Sequence, residues 1–286
     1  MSLTKSHLRL LTATALIFLA HDQSIPYTAA IIYLASVRRS AELVRQWPII
    51  LFHTGDFDYA GPRSELLARL ETSLSKVATT QARLYLHWSL PEGIPDNITL
   101  VDPVQAGSWP GKLSSNVRFL RCQYISHPAL KGYTYYLRLD TDSFIEAPLC
   151  YDPFEVMHVR KRIYGYRAAG PDAPDVTLGM WAFVDGYARS HPEVEKRLQM
   201  NGWKWPDGRD TVQSQGASGA GLPSYYNNFE IVKLEAFRRP DVHKWLTEVM
   251  RDPERVYKYR WGDAPIRYAT VHMFFNATGI PNSSVE

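Results

Sequence analysis

The chain has 286 residues, 45% apolar and 21% charged, and its 32 Lys and Arg against 29 Asp and Glu leave a net charge of +3. This composition is too apolar for disorder and long enough to bury a large core unaided, and its even charge lacks the basic footprint of a nucleic-acid binder. Two cysteines, Cys122 and Cys150, exclude cysteine-based zinc, iron–sulfur and disulfide frameworks, while one bridge in an oxidising compartment or two free thiols both stay open. The 8 Trp and 17 Tyr suit an apolar core and a sugar-stacking cleft equally.

At the N-terminus Lys5 and Arg9 precede an uncharged run, Leu10 to Ala20, and polar His21-Asp22-Gln23 follow. The run is shorter than the ~20 residues that cross a bilayer and matches the about 7–15 of a signal-peptide core. Residues 1–24 are therefore expected to be a signal peptide or short signal-anchor, with 25–286 as the domain that follows it. A buried N-terminal helix is the alternative. The acceptor triplets at Asn97, Asn276 and Asn282 accord with a secretory compartment.

Along the chain, Ala29–Ala35 reads as a strand, Arg38–Gln46 as a helix and Pro48–His53 as a second, buried strand. Ser64 opens a helix whose Leu66, Leu67, Leu70, Leu74 and Val77 share one face. Ala82–Trp88 is a third strand, Asn116–His127 a helix and Tyr133–Leu139 a fourth strand. Helices are expected over Phe154–Arg162, Leu178–Ser190 and Leu234–Met250, with a strand near Phe229–Leu234. The alternation predicts an α/β fold with a mainly parallel central sheet flanked by helices, which binds ligands at the carboxyl ends of its strands. Asn201–Ser224, with five glycines and two prolines, breaks the rhythm and reads as a lid or acceptor loop.

Asp140-Thr141-Asp142 ends an apolar strand, and alternate strand residues project to one side. Two carboxylates so placed can bind a hard divalent cation that neutralises the charge of a departing diphosphate. A turn, or a phosphatase of the haloacid dehalogenase type, competes, although the latter has Thr or Val where this chain has Phe144. In Tyr225–Ile231, Glu230 interrupts an aromatic and apolar run, so it is a candidate nucleophile or stabiliser of an oxocarbenium ion or else a solvent-facing residue of an edge strand. Asp263, in Arg260–Pro265, is a candidate catalytic acid group or a helix cap.

Together, Tyr136–Asp142, Asp152–Phe154, Tyr164-Gly165-Tyr166, Asn228–Ile231 and Arg260–Pro265 resemble the fungal Golgi α-1,2-mannosyltransferases of glycosyltransferase family 15. The resemblance runs from about Ala29 to Phe275. It implies a GT-A-type nucleotide-sugar-binding fold, GDP-mannose as donor, Mn²⁺, and retaining transfer to a mannoside acceptor on glycoprotein or glycolipid glycans. It also implies the Golgi lumen, with membrane association through the N-terminus as in a type II membrane protein. By the same resemblance Glu230 and Asp263 are catalytic, and Arg138, Asp140 and Asp172 contact the donor. Asp140 and Asp142 are expected metal ligands. His272, the one histidine of the tail, is a third candidate ligand or a helix-facing core residue. A catalytically silent relative that binds nucleotide sugar or glycan, or a transferase using another nucleotide sugar, is the competing expectation.

Overall fold

The computed structural model describes residues 14–20, 49–53, 82–84, 124–126, 130–140, 151–206, 209, 221–252, 254–255, 259 and 261–276. The chain forms two compact units, each drawn from three stretches: Met1–Glu92, His127–Gly165 and Asn227–Ala236 in the first, Gly93–Ser126, Tyr166–Tyr226 and Phe237–Glu286 in the second.

The sheet is built from short runs rich in branched and aromatic residues: β1 Thr14–Ala20, β2 Ile49–His53, β3 Ala82–Leu84, β4 Tyr135–Asp140, β5 Tyr164–Tyr166 and β8 Phe229–Lys233. Their order is β3-β2-β1-β4-β8-β5. β1 runs parallel to β2 and β4, and β2 parallel to β3. β8 runs antiparallel to β4, which brings its start to the carboxyl end of β4. In the first unit, α1 (Pro153–Val159) starts from Asp152, whose carboxylate accepts from the Phe154 and Glu155 amides at 2.9 and 3.2 Å. This is a side-chain N-cap with proline in the first turn. The helix buries Phe154 and Met157.

In the second unit, β6 (Ala169–Pro171) and β7 (Pro223–Tyr225) form an antiparallel ribbon. Four helices accompany it: α2 Met180–Ser190, α3 Pro192–Met200, α5 Pro240–Arg251 and α6 Asp263–Phe274. α2 follows Gly179 at φ +73°, a left-handed conformation that glycine adopts without strain. α6 is buried on almost every side, as a central helix must be. The Trp245 indole donates to Thr270 Oγ1 at 3.0 Å, and Asn201 Nδ2 donates to the carbonyls of His272 and Phe275 at 2.7 and 2.8 Å. Those two bonds satisfy carbonyls that the end of α6 leaves open.

Two of the differences from expectation have a clear physical reason. Thr14–Ala20, most of the run read as a leader, is strand β1, paired on both sides. An uncharged run of that length has the composition of a buried parallel strand as well as that of a signal core. The helix expected over Leu234–Met250 is two helices, α4 (Leu234–Phe237) and α5. Pro240 cannot donate to a preceding turn and disfavours a helical Arg239, so it opens a new helix instead of extending the old one. Ala29–Ala35, Arg38–Gln46, the helix from Ser64 and both cysteines lie outside the described residues. So does Asn116–His127 except for the 3-10 turn Tyr124–Ser126. No helix among the described residues is long and apolar enough to cross a membrane.

Candidate active site

The first unit assembles a buried polar cluster where β4, β8 and β5 lie side by side. In the antiparallel register Arg138 faces Glu230 and Tyr136 faces Val232. Tyr136, Arg138 and Glu230 therefore share one face of the sheet. The Tyr136 hydroxyl donates to Glu230 Oε1 at 2.7 Å, and the Tyr164 hydroxyl, from β5, donates to Oε2 at 2.9 Å. Arg138 Nη1 lies 4.0 Å from Oε1. Glu230 is 0% exposed and Arg138 2%. A carboxylate taken out of water needs such partners, because desolvation of a lone charge costs several kcal/mol (~3–5 when a buried pair loses one member). Glu230 is thus not the solvent-facing residue of an edge strand: β8 is internal, between β4 and β5.

Asp140 ends β4 two residues beyond Arg138, at the same parity of the strand. Asp142 lies outside the described residues.

Asp172, Asp263 and His272 belong to the second unit. Asp172 Oδ1 accepts from the Ala173 amide at 2.8 Å, and the Asp172 amide donates to the Leu222 carbonyl at 3.0 Å. The backbone of Gly221 passes so close that a Cβ there would lie 1.7 Å from the Asp172 carbonyl oxygen. Asp263 is the first residue of α6 and Gly262 is its N-cap, with no side-chain capping bond. The cap expected at Asp263 is one residue earlier, and Asp263 sits in the first turn, where the helix dipole favours a carboxylate.

His272 is 8% exposed and is surrounded by the rings of Tyr268, Trp203 and Tyr225, with centroids at 4.1, 5.6 and 6.1 Å. Its Nδ1 bonds the Tyr268 carbonyl at 2.9 Å. Burial pulls its pKa below 6.5, partly opposed by that hydrogen bond. A neutral imidazole whose Nδ1–H is tied to a carbonyl presents Nε2 as a lone pair. This is the form a metal accepts and equally the form a core histidine takes. Two aspartates, Asp140 and Asp142, are by residue type hard oxygen donors of the kind a divalent cation takes. Among the described residues no group of three or more His, Cys, Asp or Glu side chains is close enough to hold an ion.

Arg138, Asp140 and Glu230 are named from the sequence as site candidates, whereas Tyr136 and Tyr164 enter it only as members of the runs that carry the resemblance, with no role assigned. The second unit's ion cluster is equally hidden. In it Arg209 donates to Glu195 through Nη1 and Nη2 at 2.6 and 2.7 Å and through Nε to the buried Asp185, which Arg189 also bonds at 2.8 Å. Arg209 lies in the glycine-rich segment, where charge alone marks nothing.

Residues 112–282 match the glycolipid 2-alpha-mannosyltransferase family. The chain is 26% identical over 166 residues to probable mannosyltransferase KTR4 of Saccharomyces cerevisiae, covering 57% of this chain and 35% of that protein. It is 24% identical over 195 residues to the glycolipid 2-alpha-mannosyltransferase of the same yeast, covering 66% and 42%. The chain spans between about a third and a half of the length of the curated relatives it matches. Its fold is similar to that of core-mannan synthase A of Aspergillus fumigatus in its Mn/GDP form, with a TM-score of 0.75 at 22% identity, covering 94% of this chain and 72% of that one. It is also similar to the S. cerevisiae mannosyltransferase Ktr4p in complex with GDP, with a TM-score of 0.74 at 19% identity and coverages of 94% and 68%. These likenesses identify the GT-A-type fold.

Proposed function

Since the chain belongs to the glycolipid 2-alpha-mannosyltransferase family, we propose that it moves mannose from GDP-mannose to the hydroxyl of a mannoside acceptor with retention of configuration. The observation that carries this reading is Glu230, held dry beside Arg138 within a GT-A-type sheet. The bond from the anomeric carbon to the diphosphate breaks with its electron pair leaving on GDP. The acceptor oxygen bonds to the same face of that carbon, and its proton goes to the departing phosphate oxygen. Positive charge grows on the sugar meanwhile, and a carboxylate in a low-dielectric setting stabilises it more strongly than one in water.

Asp140 and Asp142 are the residues that would hold Mn²⁺, with His272 as a third candidate and Arg138 and Asp172 as donor contacts. When bound, the ion neutralises negative charge on the diphosphate. Asp263 is proposed as a second catalytic carboxylate, placed in the first turn of α6, where the helix dipole favours a carboxylate. The Golgi lumen is the proposed compartment. Asn276 of the Asn276-Ala-Thr triplet is exposed, so protein made in eukaryotic cells should shift in gel mobility on glycosidase treatment.

A donor screen tests the reading directly. GDP release from GDP-mannose should require Mn²⁺ and rise with a mannoside acceptor. Turnover confined to a UDP-sugar would overturn the mannosyl assignment while leaving the fold intact.

A further inference from the structure

We propose that Tyr136 and Tyr164 are positioning residues for the transfer step. They hold both oxygens of Glu230 so that the carboxylate stabilises positive charge at the anomeric carbon without bonding to it. This rests on the reading of Glu230 as the carboxylate that attends that carbon.

The two donors come from strands on opposite sides of β8, Tyr136 from β4 and Tyr164 from β5. Both side chains are 0% exposed, as is Glu230. A hydrogen bond from a neutral hydroxyl to a carboxylate belongs to the strong class, and one donor per oxygen fixes rotation about the carboxyl axis as well as position. Core packing does not explain the hydroxyls, because phenylalanine would bury the same ring without a polar atom that needs a partner. Arg138, 4.0 Å from Oε1, adds a counter-charge from the same strand as Tyr136.

This arrangement favours one of the two roles open to the carboxylate. To attack the anomeric carbon, one oxygen would have to give up its bond from a buried phenol and move towards the sugar. To stabilise charge it need not move at all, and a dipole or charge already in place costs no reorganisation at the moment of reaction. The electron pair of the broken bond leaves with GDP, the acceptor oxygen forms the only new bond to carbon, and its proton leaves on the phosphate. Glu230 gains and loses no bond.

The test measures GDP released from GDP-mannose with Mn²⁺ and a methyl mannoside acceptor for wild type, Tyr136→Phe, Tyr164→Phe and the double variant, each also in a Glu230→Gln background. Loss of a hydrogen bond to a charged group is expected to lower kcat by about 10- to 100-fold per phenol, with donor KM within about 3-fold of wild type because ground-state binding is untouched. In the Gln background the same Phe substitutions should change kcat by less than about 2-fold, since residues acting through one group do not add. Intact-mass analysis of wild type quenched with a 2-fluoro donor should show no added sugar. An active wild type whose Phe variants keep their kcat overturns this inference alone. So does a loss that persists undiminished without Glu230, which is the mark of a merely structural role, or a sugar covalently attached to Glu230. A wild type that releases no GDP overturns the transferase reading and this inference with it.

Discussion

Arg138 and Glu230 are direct cross-strand partners, buried together with Nη1 4.0 Å from Oε1 at the carboxyl end of β4. The pair unites the residue expected to contact the donor with the one expected to attend the sugar. Each supplies the other with a counter-charge.

Glu230→Gln keeps shape and acceptor capacity at one oxygen but removes the charge. Turnover should fall by about 10²-fold or more, the scale of one positioned group, while donor KM stays near normal. Steady-state kinetics check this, and a variant keeping over about a tenth of wild-type kcat would make Glu230 structural.

The same pair gives a stability prediction. Arg138→Met removes a counter-charge from the buried Glu230 carboxylate and should cost about 3 kcal/mol, near the lower bound for breaking a buried pair. Adding Glu230→Gln should return part of that loss, because the uncompensated charge goes with it. Urea unfolding of the two single variants and the double variant closes the cycle, and strictly additive losses would mean that the pair is not coupled.

Much of the first unit was legible because its strands are written in their side chains. Ile49–His53, Tyr135–Asp140 and Phe229–Lys233 are apolar runs of strand length, and Asp140 and Glu230 stand out as charges inside them. The partners of Glu230 were not legible. Tyr136 and Tyr164 lie 94 and 66 residues away in sequence, and only the antiparallel placement of β8 brings them in. β5, β6 and β7, at three residues each, are too short to show a period of two. Thr14–Ala20 was ambiguous for a physical reason: a signal core and a buried strand ask for the same apolar run.

Arg209 should matter to the second unit's stability. It bonds both oxygens of Glu195 and one of Asp185, whose side chain is fully buried. Arg209→Ala should destabilise by about 2–3 kcal/mol, Arg189 still partly compensating Asp185. Hydrogen bonding to Arg209 holds the Glu195 pKa below 4.5, so this contribution is present above that pH and is lost as pH falls through the folded value. Urea midpoints measured at neutral and at acid pH should converge for wild type and variant, and a constant gap would discount the ion pair.

His272 separates two roles by two measurements. Its folded pKa lies below 6.5 through burial, so the unfolded chain takes up the proton first. Its contribution is full above about pH 6.5 and is lost as pH falls towards the folded value. Packed among Tyr268, Trp203 and Tyr225, it is expected to behave as a core residue. His272→Phe should flatten the pH dependence of the unfolding midpoint below 6.5 and leave Mn²⁺ affinity unchanged, whereas Asp142→Asn should weaken Mn²⁺ and donor together. A drop in Mn²⁺ affinity of about 10-fold or more in His272→Phe, the scale of a disturbed metal shell, would put His272 in the metal site.

Two glycines of the second unit make opposite predictions under the same substitution. A Cβ on Gly186 meets nothing within 4 Å, and the residue lies inside α2. Alanine there should stabilise by about 0.5–1 kcal/mol through propensity alone. At Gly221 the Cβ would lie 1.7 Å from the Asp172 carbonyl oxygen and 2.7 Å from its carbon. Those are backbone atoms, held by the Asp172 amide bond to the Leu222 carbonyl, while the Leu222 amide bonds Thr177 Oγ1 at 3.3 Å. No side chain can rotate away, so one strand of backbone must move and break these bonds. Gly221→Ala should cost about 3 kcal/mol or more, at the upper end of overpacking. If Asp172 also contacts the donor, the shift should raise KM for GDP-mannose in whatever fraction still folds. Thermal melts of the two variants, run side by side, distinguish the cases: Gly186→Ala should melt above wild type and Gly221→Ala well below it. Equal melting temperatures would remove the close approach of Gly221 to Asp172.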